Sequence, residues 1–100
     1  MGFLSDLKSR GAIAQQGKDL ATQFARRLPK ERAGDDKRVT AEFDILMGNA
    51  LGFQRKQGLG VFGKSNMVNN FQWTLVEAGY SADFARDLGT RLAKRLAATE

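Results

Sequence analysis

The sequence predicts an all-α fold: one compact domain of four short helices, or five if the first is broken. Three observations carry this expectation. Apolar residues recur at helical spacing along almost the whole chain, alternating strand patterns are missing, and Gly or Pro signals punctuate it at intervals. One hundred residues hold one core and leave no room for a second lobe, which argues against a two-domain enzyme.

Phe3, Leu4 and Leu7 suggest a first helix over 3–10, with Gly11 as a kink or break. Ile13, Leu20, Ala21, Phe24 and Leu28 then form one face of a helix over 12–28, with Gly17 on the same side. Pro29 stops it, because the ring disfavours helical geometry in the residue before it. Residues 29–37 are polar and loop-like, and Asp36 or Thr40 supplies a cap for the next helix. Val39, Phe43, Leu46, Met47, Ala50 and Leu51 mark that helix over 38–54. Gly48 and Gly52 lie one turn apart inside it, and each costs about 1 kcal/mol relative to Ala. Fraying into the following loop is the reading favoured there, with close helix packing as the alternative.

A glycine-rich loop over 58–64 follows. Ser65 is expected to cap a helix over 66–78, with Val68, Phe71, Leu75 and Ala78 inward and Trp73 and Val76 at its flanks. Gly79 is a left-handed stop, Tyr80 an apolar residue just beyond it, and Ser81 the next cap. The last helix spans 82–97 on Phe84, Ala85, Leu88, Leu92, Ala93 and Leu96.

The chemical inventory is narrow. The chain has no His and no Cys, which removes disulfides, thiolate or imidazole metal sites, the Cys nucleophile and the side chain best suited to proton transfer near neutral pH. Asp35–Asp36 and Glu42/Asp44 are the nearest approach to paired carboxylates, and such groups in polar loops usually cap helices or stay solvated. The expectation is a non-enzymatic protein without metal or cofactor.

Residues 58–65, Gly-Leu-Gly-Val-Phe-Gly-Lys-Ser, satisfy the phosphate-loop pattern at every required position. The context fails: polar Gln54-Arg55-Lys56-Gln57 stands where a buried strand is required, and no later strand ends in a metal-binding aspartate. Nucleotide binding is therefore not expected. A weaker possibility is an anion spot at Lys64, where a glycine loop feeds a helix N-terminus; the plainer reading is a connector with a serine cap.

Sixteen Lys and Arg against eleven Asp and Glu give a net charge of +5, which favours anionic partners. The excess is N-terminal, since residues 1–34 carry seven cations and three anions. Arg26, Arg27, Lys30 and Arg32 cluster at a helix end and the loop after it. Their simpler role there is to complement the helix dipole, as for Arg91, Lys94 and Arg95 in the last helix. Residues 75–86 faintly resemble the DNA-binding helix-turn-helix, but the second helix would present Asp83 and Asp87 to phosphate. Trp73, Tyr80 and Phe71 read as core, which weakens single-strand recognition by stacking.

No stretch is apolar and long enough to span a membrane, and the start of the chain lacks secretory-signal features. Asp6 stands where myristoylation wants Ser or Thr. The first helix could instead lie on an anionic membrane, although its stripe suits a bundle core better. A cytoplasmic location is the default expectation. The favoured function is nucleic-acid binding through phosphate contacts from Arg26, Arg27, Lys30, Arg32, Arg55, Lys56 and Lys64. The alternative is a module that docks on another protein or self-associates, using Leu59, Val61 and Phe62 of the glycine-rich loop.

Overall fold

Helical periodicity translates directly into helices. A computed structural model describes residues 3–58 and 60–98, with side chains from Gly11 onward except that of Val61. Among the described residues there are four α-helices, one 3-10 turn and no strand: α1 (Phe3–Arg27), the 3-10 turn (Lys30–Arg32), α2 (Asp36–Gln57), α3 (Val61–Glu77) and α4 (Ala82–Ala98). The radius of gyration, 13.4 Å, is that of a compact globule of this length, for which ~13 Å is typical.

The α1 stripe is buried as expected: Ile13, Leu20, Ala21, Phe24 and Leu28 all lie in the core. α3 is the central element and packs most extensively on α1, then on α4; α2 covers α1 and touches α4 more lightly. α3 ascends beside α1, so that Gly17 meets Met67 and, a helix length away, Leu28 meets Tyr80. Gly17 makes the close approach possible. A Cβ there would collide with the Met67 carbonyl oxygen and come within 2.9 Å of Asn70 Cβ.

Three glycine expectations are corrected. Gly11 does not break the first helix: α1 is continuous, and the expected segments 3–10 and 12–28 are one element. Gly48 and Gly52 neither fray α2 nor mark close packing, since α2 runs to Gln57 and nothing lies within 4 Å of where their Cβ atoms would be. Tertiary burial outweighs a glycine cost of about 1 kcal/mol per residue. Beyond Gly52, Phe53 packs against the core, and buried Gln54 donates from Nε2 to the Leu96 carbonyl at 3.2 Å. That carbonyl is in the last turn of α4, where backbone acceptors lack helical partners.

The α2 cap is Asp35, not Asp36 or Thr40. Asp35 is extended and its carboxylate accepts from the Arg38 amide at 3.3 Å, while Asp36 sits in the first turn near the positive helix end.

The α3–α4 corner follows its sequence signals. Gly79 has φ +104°, its amide donates to the Val76 carbonyl at 3.0 Å, and the Tyr80 amide donates to the Leu75 carbonyl at 3.1 Å. This is the Schellman closure, with buried Tyr80 and Leu75 as its apolar pair. Ser81 caps α4 by accepting from the Phe84 amide at 3.1 Å. The Tyr80 ring stacks on Phe84 at 5.2 Å and meets Phe24 at 6.0 Å, while its hydroxyl donates to the Leu28 carbonyl. An aromatic cluster thus ties this corner to the end of α1.

Candidate functional site

The glycine-rich segment is mostly helix. Gly58, with φ +61°, ends α2, Gly60 precedes α3, and residues from Val61 onward are helical. The expected loop over 58–64 therefore shrinks to a connection between two helices, and Ser65 lies inside α3 instead of capping it. The Lys64 amide already donates to the Gly60 carbonyl at 3.0 Å. A phosphate loop needs such an amide turned toward its ligand, and here that of Lys64 closes the first turn of α3. Lys64 is half-buried.

Among the three apolar residues expected to contact a partner, Leu59 lies outside the described residues. The Val61 side chain does too. Phe62 is 91% exposed on the first turn of α3. Trp73 is 69% exposed, and this corrects the expectation that it belongs to the core. The reason is the phase of the helix. Its inward stripe is Met67, Phe71 and Leu75, with Val68 only partly buried and Ala78 exposed. Trp73 comes two residues after Phe71, which is 200° around at 100° per residue, so it points away from the core. Phe62 and Trp73 are eleven residues apart, three turns and ~16 Å along one face. Asn66, Asn69 and the partly exposed Val76 complete that face.

Beside Trp73 is a hollow of about 330 Å³ between α3 and α4, lined by Gln72, Trp73, Val76, Ala82, Ala85 and Arg86. Gly89 lets the helices close beneath it: a Cβ there would collide with the Gln72 side chain. Between Lys64 and Glu77 α3 carries no charged residue.

The cations form no single patch. Arg26, Arg27, Lys30 and Arg32 are exposed at the α1–α2 corner, while Arg55 and Lys56 are exposed in the last turn of α2 and Lys64 follows in α3. The 22 residues of α2 set the two groups roughly 30 Å apart. Several cations already have partners. Arg27 pairs with Glu42, Arg91 with Asp87 at 3.0 Å, Arg95 with Asp44 at 3.6 Å and Arg86 with Asp83 at 3.8 Å. Lys30 lies across Gly79, its Cδ 2.7 Å from where a Cβ would stand. The first turn of α4 presents exposed Asp83, and Asp87 follows one turn on, which sets that helix against groove reading.

Among the described residues no cluster of three or more acidic side chains could hold a metal ion, and no helix is long and apolar enough to cross a membrane. Burial, reinforced by the negative charge of Glu31, pushes the Tyr80 phenol above its usual pKa. No protein-family model, curated protein or solved structure matches the chain.

Proposed function

We propose that the chain is a non-enzymatic helical docking module that binds a protein surface through the outward face of α3. One observation carries this reading: Phe62 and Trp73, two large aromatics, stand in solvent on one uncharged helix face of a small basic protein. Exposed aromatics at such density usually mark a binding surface, because Trp and Phe anchors dominate interface energetics. The lack of His and Cys supports the non-enzymatic part. A cytoplasmic setting, suited to a cysteine-free chain, belongs to the same proposal. The test is a photo-crosslinking side chain at position 62, with position 32 as control, in extract of the source cells. Discrete polypeptide adducts at 62 that are missing at 32 are expected. Equal labelling at both positions, or nucleic acid as the main adduct, would refute the reading.

A second reading is nucleic-acid binding at the α1–α2 corner, favoured by the exposure of Arg26, Lys30 and Arg32 together. Three phosphate contacts predict a log–log salt slope of about −3 on duplex DNA, from roughly 0.9 per phosphate. Replacing Arg26 and Arg32 with Ala should flatten it by about 2. Binding indifferent to salt, or unchanged in that variant, would exclude this corner.

A further inference from the structure

We infer that a hollow between α2 and α4 binds a small organic monoanion, an aryl or short acyl carboxylate whose apolar body enters the hollow. The site uses α2 and α4 and not the aromatic face of α3, so it goes beyond the docking reading and does not depend on it.

The hollow is built from two helices. On α4, Arg91, Lys94 and Arg95 are spaced by three and four residues, which gathers them within about 100° of the helix circumference. α2 crosses there and adds Thr40, Phe43 and Asp44, and the six together line a space of about 280 Å³. Phe43 is a core residue, so what it lends to the hollow is an aromatic floor. The aliphatic stems of the three cations widen that apolar surface while their charged heads stay in water. The volume falls just below the ~300–1,000 Å³ of common ligand sites, which suits a body of one or two rings.

Charge sets the other half of the ligand. Asp87 pairs with Arg91 at 3.0 Å, and Asp44 pairs with Arg95 at 3.6 Å. Lys94 has no ion pair among the described residues. Three cations against two acids leave one positive charge, that of Lys94, at the mouth of the hollow. A helix dipole accounts for Arg95, the basic residue of the last turn, but its pull fades within that turn, and Arg91 and Lys94 come before it. One carboxylate balances the excess, held by the Lys94 ammonium with the exposed Thr40 hydroxyl as a neutral donor. A second negative charge would meet Asp44 instead, which selects a monoanion over a dianion.

The test is a titration of the full, isotope-labelled chain with 2-naphthoate, following backbone amide shifts by NMR. Saturable shifts centred on Thr40, Arg91, Lys94 and Arg95 are expected, with a dissociation constant on the order of 1 mM for a ligand of this size. Neutral 2-naphthamide should bind about fivefold more weakly, and Lys94→Gln should weaken naphthoate by roughly two- to fivefold, the worth of an exposed ion pair. Acetate, which has the charge without the rings, should not saturate over the same range. Thr40→Phe, at an exposed position, should keep the helical spectrum and abolish binding by filling the hollow with its own ring. Equal affinity for naphthoate and naphthamide would overturn the role of charge, and equal affinity for acetate would overturn that of the apolar body. Undiminished binding to the Thr40→Phe chain, shifts centred on Trp73, or no saturation by about 10 mM naphthoate would overturn the site itself.

Discussion

Glycines with the same side chain have opposite roles here, and the difference lies in what surrounds them. Gly17 is pressed against the backbone of α3, so Gly17→Ala must push two helices apart, at a cost of about 1–3 kcal/mol. Gly48 and Gly52 face open space in ordinary helical geometry, so Ala at either position should stabilise by about 0.5–1 kcal/mol through the unfolded chain. Urea unfolding of the three variants measures both signs; equal effects at 17 and 48 would contradict the packing described. Tyr80 is tested by pH. The folded chain holds its phenol proton more tightly than the unfolded chain, so its support is complete below about pH 10 and is lost as pH climbs through the raised value. With one tyrosine in the chain, phenolate absorbance should appear above the ordinary value and together with loss of helix. Tyr80→Phe, which leaves the Leu28 carbonyl without its donor, should cost about 1–3 kcal/mol.

At the scale of elements, what a residue does to its own helix was readable and what a distant helix does to it was not. The α1 stripe and the Gly79-Tyr80-Ser81 corner were readable because periodicity, left-handed glycine and a serine cap are local effects. Ser81→Ala tests the last of these and should cost about 1 kcal/mol in thermal or urea unfolding. The continuity of α1 through Gly11 and of α2 through Gly48 and Gly52 was not readable. Each glycine carries only a small local cost, and beyond Gly48 and Gly52 contacts made tens of residues away, such as that of Gln54 with Leu96, outweigh it. The exposed side of Trp73 was a local signal passed over: it stands 200° from Phe71 whichever residues complete the inward stripe, and its large apolar ring suggested core instead. Phe62 was expected to contact a partner, but as part of a loop; the helix that orients it begins earlier than its glycines suggest.

For the molecule as a whole, neighbours in sequence proved a poor guide to neighbours in space. The cations expected to act together stand at two ends of α2, and the acids that answer several of them come from other helices or from one turn away. Most of these pairs are exposed, so they contribute little to stability, and about 1 M salt should leave the urea midpoint almost unmoved. The core instead draws on all four helices, and its most extensive contact, between α1 and α3, joins residues far apart in the chain. A chain lacking residues 3–27 should therefore lose cooperative unfolding by circular dichroism, although α2, α3 and α4 remain covalently intact.

The pairing of Gly17 with Met67 also has a consequence during translation. Fifty residues separate them, so at roughly 5–20 residues per second the ribosome emits the apolar side of the first helix about 3–10 s before its main cover exists. Until then only the second helix can shield Leu20 and Phe24, which makes the nascent N-terminal segment the part of this protein most exposed to chaperones and proteases.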